Sequence, residues 1–282
     1  MLVVTVFSVS IVFIMAFALF QKGSKVLMQE PLSNLLFSSE WYPSQGRFGF
    51  YPFIMGTLWV TALAMIIAIP ICLLSSIYLA EYAPSKVRGI IKPLVDLLAG
   101  IPSVVYGLWG VLVVVPFIRD YLAPLVGATT NGYCILAGGI VLAIMVFPII
   151  ISVSEEVFRT VSNELREASF AVGATKWQTV KHVVMRKAFP GFIAAVILGF
   201  SRAFGETMAV LMVVGNVPQV PSSIFDQGYP LPALIANSYG EMMSIPLVDS
   251  ALMLAALILI LVVFLFSVVA RIVLLRIERR AM

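Results

Sequence analysis

Two ionisable residues, Arg202 and Glu206, stand inside an otherwise apolar run, Gly199-Phe200-Ser201-Arg202-Ala203-Phe204-Gly205-Glu206-Thr207-Met208. A charge held at the centre of a membrane-spanning helix costs at least about 2.5–3.5 kcal/mol, so such groups face a wet cavity or a partner. The guanidinium is always charged, and its donor fork fits a tetrahedral oxyanion. On a helix, Ala195, Gly199, Arg202, Glu206 and Ala209 share one face, while Ile197, Phe200, Phe204, Met208 and Leu211 share the opposite one. The small-and-charged face is expected to line a pathway for an anion. Glu206 would hold the fork in place and neutralise it when the path is empty. The order basic-then-acidic at i, i+4 is the less favourable one for an isolated helix, so helix stability explains the pair poorly. The alternative is a charge pair that locks two helices and touches no substrate.

The elements that must position these groups are membrane spans. The chain of 282 residues is 61% hydrophobic and 11% charged, with a mean hydropathy of +1.06, which excludes a soluble domain of this size. The pattern predicts an all-α integral membrane protein with six transmembrane helices, near Leu2–Phe20, Phe53–Ala80, Leu94–Ile118, Tyr133–Val153, Gly191–Val214 and Ala251–Val269. Ala16-Phe17-Ala18 could mimic a signal-peptidase site, but no basic stretch precedes the first span, and no cleavage is expected. Pro70, Pro102 and Pro148 interrupt three spans, and each is expected to bend its helix. Beside Pro102, Ser103 and Tyr106 offer hydroxyls inside the membrane, among small residues that also suit plain helix packing. Cys72 and Cys134 read as buried hydrophobes and His182 as a solvated side chain, with no metal-ligand spacing.

Charge sets the expected orientation. Thirteen Lys and Arg residues fall in the loops and tail on one side, against four (Lys22, Lys25, Arg47 and Arg119) on the other. The richer side, with both termini, is assigned to the cytoplasm. Of the outer loops, Gln21–Pro52 is rich in aromatic residues, and Gly215–Asp249 carries no basic residue but five prolines. The second lies where an extracytoplasmic delivery protein would dock, or it is a folded loop with no partner.

The inner side holds the long polar interruption Ser154–Pro190. Asn163 is expected to cap a first short helix with Glu164 in its first turn, and Gly173 to end it in a left-handed conformation. Thr175-Lys176-Trp177-Gln178 fits a capping box that starts a second helix. A helix–Gly–helix elbow outside the membrane suits docking.

Glu167-Ala168-Ser169, three residues, then Gly173-Ala174 resembles the Glu-Ala-Ala-x3-Gly core of the cytoplasmic loop in ABC importer permeases. The family continues with Ile-x-Leu-Pro. Here Val183-Val184-Met185-Arg186 takes that place, and a proline follows at Pro190, which reads as a displaced helix break. The resemblance implies a type I, MetI-like permease: one transmembrane domain over 1–282, a core at 53–270 and a coupling loop at 154–190. It also implies that Glu164, Glu167, Ala168, Ala171, Gly173 and Ala174 seat on an ATPase subunit.

A more specific likeness runs through Phe48–Leu58, Ile101–Gly110 and Arg202-Ala203-Phe204-Gly205-Glu206-Thr207-Met208-Ala209-Val210. These segments resemble permease subunits of bacterial phosphate importers, of the PstC kind. That likeness implies a multi-pass inner-membrane subunit paired with a sister permease of the PstA kind, two ATPase subunits and an extracytoplasmic phosphate-binding protein. Arg202, Glu206, Ser103, Tyr106 and Thr207 would then line the substrate path. No cofactor is expected in this chain and no enzyme activity. It lacks Gly-x4-Gly-Lys-[Ser/Thr], so ATP and Mg would be handled by the partner ATPase. A sulfate or molybdate permease of the same superfamily stays open, and a secondary transporter would need no elbow of this kind.

Overall fold

The computed structural model describes residues 2–240, 242, 245 and 247–281. Among them, six helices are long and apolar enough to cross a membrane: Ser10–Leu27, Tyr51–Tyr82, Ser103–Val126, Ile135–Thr160, Lys176–Phe204 and Val248–Arg276. The first belongs to α1 (Leu2–Leu27). A short helix α2 (Leu32–Phe37) and a hairpin of β1 (Trp41–Tyr42) and β2 (Arg47–Phe48) follow outside it. Trp41 is wedged among Phe48, Phe50 and Phe53, with ring centroids 5.6, 5.8 and 4.9 Å away, which turns the aromatic loop into a folded cap.

The second span, α3 (Tyr51–Ile77), runs through Pro70 unbroken and ends in a wider π-turn, Tyr78–Tyr82. The fourth, α8 (Ile135–Thr160), likewise runs through Pro148. These two helices form the centre of the bundle. Gly139 lets them meet, since a Cβ there would lie 2.8 Å from Leu63 Cδ2. Pro148 is buried among its neighbours, whereas Pro70 is exposed on its helix, and neither interrupts its span.

Pro102 behaves differently. The expected third span, Leu94–Ile118, is split: α4 (Ser85–Ala99) stops at Gly100, Pro102 is extended (ψ 142°), and α5 (Ser103–Trp109) begins a new helix. The residue before a proline avoids the helical region, and Gly100 gives the chain an exit one residue earlier. The span then continues through a π-turn at Gly110–Val114, α6 (Val115–Phe117), another at Ile118–Leu122, and α7 (Ala123–Val126). Each π-turn precedes a proline, Pro116 or Pro124, whose missing N–H leaves the ladder short of a donor.

After α8 comes the elbow, α9 (Asn163–Ala171) and α10 (Lys176–Thr179). The second arm is not a separate short helix. It passes through a π-turn at Val180–Val184 into α11 (Met185–Phe204), so Lys176–Phe204 is a single span and Pro190 breaks nothing. The expected fifth span, Gly191–Val214, is itself interrupted: α11 ends at Phe204, and a separate helix, α12 (Met208–Val213), follows. The next loop folds back over α3 through α13 (Leu231–Ser238), where the Leu231 N–H donates to Thr57 Oγ1 at 2.9 Å. The last helix, α14 (Val248–Ala281), packs on α1 where Gly23 meets Leu254.

Candidate functional site

The helix ending at Phe204 changes the geometry expected of the charged pair. Arg202 lies in the last turn of α11, a position that suits a cation against the carbonyl end of the helix. Gly205 follows as the C-cap, and Glu206 lies beyond the helix. The i, i+4 relation on one surface is therefore lost, and among the described residues no ion pair joins Arg202 to Glu206. Instead Glu206 Oε1 accepts from the Ala209 N–H at 3.3 Å, so its carboxylate covers an orphan donor of α12. Thr207 is the N-cap residue of α12, and its hydroxyl donates to the Gly205 carbonyl at 3.3 Å rather than into a path.

The small face is corrected in the same way. Ala195 and Gly199 do not line a cavity; they are buried, and a Cβ at Gly199 would fall 2.5 Å from Ile150 Cγ1 of α8. Of the bulky face, Phe200 and Phe204 pack on Phe266 of α14, at 5.5 and 5.4 Å. The strip of α11 left uncovered by the chain carries Leu198, Ser201 and Arg202, and the exposure continues at its C-cap, Gly205. The Ser201 hydroxyl donates to Ile197 O, and among the described residues nothing hydrogen-bonds the Arg202 guanidinium.

The two helix breaks lie near one another. Helix α12 packs on α5, with Met212 and Ala209 against Gly107, where a Cβ would meet Met212 Sδ at 2.6 Å. Tyr106 is buried, lies within electrostatic reach of Arg202, and donates its hydroxyl to the Leu98 carbonyl of α4 at 2.9 Å. It braces the break at Gly100–Pro102 more than it offers a free hydroxyl. Ser103 opens α5 half-covered, on the far side of that break. Arg202 thus stands as an uncovered cation beside two interrupted helices.

At the other end of the bundle, the elbow follows its local grammar closely. The N-cap is Ser162, one residue before the expected Asn163, and it makes no side-chain cap bond. Gly173 is left-handed (φ +84°), and the Ala174 N–H reaches back to Ser169 O at 3.2 Å. The capping box is complete: the Gln178 N–H donates to Thr175 Oγ1 at 3.3 Å, and the Thr175 N–H donates to Gln178 Oε1 at 2.8 Å. No residue of α9 is buried by the chain. Glu164, Glu167, Ala168, Ala171 and Gly173 are all exposed and Ala174 half-covered. Val172 is 84% exposed and Trp177 53%, with Leu165 and Phe170 uncovered nearby. The knob thus carries several exposed apolar side chains among its polar ones.

Beneath the knob lies a layer of charge that local sequence patterns do not reveal. Arg166 turns inward and pairs with Glu81, Nη2 to Oε1 at 2.6 Å, while Nη2 also donates to Phe158 O at 3.1 Å and Nη1 to Val161 O. Glu155 is buried on α8 within 3.8 Å of Arg88, 3.5 Å of Lys92 and 3.4 Å of Arg159. Arg88 in turn donates to the Leu79 and Ala80 carbonyls at 2.9 and 3.1 Å, covering the open end of the second span. A charged residue inside an apolar stretch, as Glu155 nearly is, was the one available signal for this layer.

Solved structures share the fold. The fold is similar to that of the MetNI methionine ABC transporter in inward-facing conformations, with a TM-score of 0.60 at 18% identity over 81% of this chain and 97% of that one. A bacterial ABC transporter that imports the acidic polysaccharide alginate gives 0.58 at 13% identity, over 99% and 94%. The architecture is that of a MetI-type ABC importer permease.

The sequence model of the binding-protein-dependent transport system inner membrane components matches residues 73–282, and the chain belongs to that family. Among curated relatives, the phosphate transport system permease protein PstC of Xylella fastidiosa (strain Temecula1) is 38% identical over 272 residues, 92% of this chain and 83% of that protein. The probable ABC transporter permease protein YqgH of Bacillus subtilis (strain 168) is 38% identical over 254 residues, 89% and 81% of the two chains. The protein is thus a multi-pass inner-membrane transport component, and ATP hydrolysis belongs to a separate subunit.

Proposed function

We propose that this chain forms one half of the translocation path of an ATP-driven importer of inorganic phosphate, working by alternating access. The observation that carries the anion is Arg202, an uncovered guanidinium with no hydrogen-bond partner among the described residues, set beside two helix breaks. The phosphate named in the curated PstC relatives supports the choice of anion. Phosphate released from an extracytoplasmic binding protein would meet Arg202 in transit. Glu206, one break away, would supply the counter-charge that keeps binding weak enough for release. Tyr106, Ser103 and Thr207 would shape the path rather than bind the anion directly.

In this reading the whole chain, 1–282, is one permease domain with its core at 53–270. It pairs with a sister permease of the PstA kind, and the elbow at 154–190 seats in one of two ATPase subunits through Glu164, Glu167, Ala168, Ala171, Gly173 and Ala174. The excess of Lys and Arg in the loops on the elbow side supports a cytoplasmic elbow and cytoplasmic termini. On the opposite side, a cavity of about 570 Å³ lined by Glu30, Ser33, Asn34, Phe37, Glu40 and Arg47 offers polar surface to the delivery protein.

The test is uptake of labelled phosphate by the reconstituted complex, with wild type and Arg202→Gln, in the presence of excess sulfate. Uptake should survive sulfate and be lost in the variant. Equal competition by sulfate would overturn the choice of phosphate, and unchanged uptake in the variant would make Arg202 structural.

A further inference from the structure

The inward-turned Arg166 does more than fold its loop. Its guanidinium grips Glu81 with a fork, Nη2–Oε1 at 2.6 Å and Nε–Oε2 at 3.4 Å, with the two side chains 15% and 8% exposed. The same group holds the Phe158 and Val161 carbonyls at the inner end of the fourth span. One side chain of the elbow therefore clasps the ends of the second and fourth spans together.

A second clasp lies on the other arm. Lys176 sits over the ring of Tyr82, 4.7 Å from its centroid. The two clasps straddle Gly173 and land on neighbouring residues, Glu81 and Tyr82. The hydroxyls of Ser169 and Thr179, 2.9 Å apart, tie the arms to each other. A knob held this way cannot swing freely about its glycine. When it moves, the inner end of the second span moves too.

That end is tied onward. Arg88 of α4 holds the carbonyls of Leu79 and Ala80, just ahead of Glu81, and reaches the buried Glu155. Helix α4 then runs to the break at Gly100–Pro102, where Tyr106 fastens Leu98 and lies within reach of the Arg202 charge. Polar contacts at Glu81, at the Leu79 and Ala80 carbonyls and at the Leu98 carbonyl, joined by the backbone of Leu79–Glu81 and of α4, thus connect the knob to the break near the uncovered guanidinium.

We infer that the Arg166–Glu81 pair is the strut through which a push on the elbow reaches the second and fourth spans and, by way of Arg88 and α4, the helix break beside Arg202. Arg166 is a positioning residue and touches no substrate. Burial of two charges is a poor way to gain stability, because desolvation offsets most of the attraction. A stiff, directional joint between elements far apart in sequence is what the fork supplies. The inference rests on the elbow docking to an ATPase subunit, and its test separates the two.

The assembled transporter is prepared with a cysteine at Ala171 as crosslinking probe; Cys72 and Cys134 are buried and leave that probe distinct. Three versions are compared: wild type, Glu81→Gln with Arg166→Met, and the exchange Glu81→Arg with Arg166→Glu. The neutral double variant leaves no unpaired buried charge, though it gives up the Arg166 bonds to Phe158 O and Val161 O, so assembly and the crosslink are its folding control. It should retain the Ala171 crosslink and ATP hydrolysis while phosphate moved per ATP falls about tenfold, a typical size for coupling between sites. The exchange should recover a large part of that loss. Unchanged transport per ATP in the neutral variant, or loss of assembly and crosslink in both variants, overturns the strut and leaves the docking reading standing. Absence of the crosslink in wild type overturns both.

Discussion

Arg202 closes one helix and Glu206 opens the next, so two charges four residues apart belong to different elements. The chain between them turns at Gly205, which places the guanidinium on the uncovered strip of α11 and the carboxylate at the head of α12. The carboxylate accepts from an open amide of α12, while the cation lies in the last turn of α11, where its charge suits the helix dipole without bonding a carbonyl. One of the two charges therefore caps the helix that follows the break, and the other is left uncovered.

Replacement of Glu206 separates its two roles. Glu206→Gln keeps an oxygen for the Ala209 N–H, so thermal stability in detergent should match wild type. Glu206→Ala removes that acceptor and should cost about 1 kcal/mol, the usual worth of a helix cap. Phosphate uptake should fall in both if Glu206 supplies the counter-charge proposed for Arg202. Full uptake by Glu206→Gln would reduce the carboxylate to a cap.

Packing at Gly199 gives a stability prediction. A Cβ there would come within 2.5 Å of Ile150 Cγ1 and 2.6 Å of its Cδ1, too close without a shift of α8 or α11. Gly199→Ala should destabilise the protein by about 1–3 kcal/mol, as overpacking in a tight core does. Adding Ile150→Ala should recover part of the loss, because it removes the atoms that clash. Thermal unfolding of the single and double variants measures this, and additive losses would place the strain elsewhere.

What the sequence made legible was local. The capping box at Thr175 and Gln178 and the left-handed turn at Gly173 depend on neighbours a few residues apart and form as their spacing predicts; six apolar spans are present too, but the third and fifth have other bounds than the apolar runs suggest. The break at Gly205 was hidden because Arg202 to Ala209 also fits a helical face. Its signals were present, a glycine able to end a helix and a threonine able to start one, but only the packing of α12 on Gly107 favours them over continuation. Pro70, Pro148 and Pro102 all stand in apolar runs, but only Pro102 follows closely on a glycine, Gly100, and only there does the helix stop. The Arg166–Glu81 clasp joins residues 85 apart, beyond any local pattern.

Gly173 tests the elbow on its own. Its φ of +84° is strained for any residue with a Cβ, yet nothing lies within 4 Å of where that atom would sit. Gly173→Ala should therefore lower stability by about 1 kcal/mol through backbone strain alone, and Gly173→Asn by less. A mild loss of ATP-coupled transport should accompany the alanine variant. Equal stability of wild type and alanine variant would mean that the turn relaxes to another shape.

Acid should loosen the outer loop at a defined place. Asp226 Oδ2 accepts from the Ser222 hydroxyl at 2.7 Å, the Ser222 N–H at 2.9 Å and the Ser223 N–H at 2.8 Å. These bonds, the Ser222 side chain foremost, hold its carboxyl below the usual aspartate range. A carboxyl lowered on folding adds stability that is complete above its unfolded value, about pH 4, and is lost as pH falls through the lower folded value. Amide-exchange protection at Ser222 and Ser223 should therefore hold from neutral pH to about pH 4 and decline below it. In Asp226→Asn the decline should vanish, since the amide does not titrate, with protection lower at every pH. A decline that persists in the variant would assign the acid response to another group.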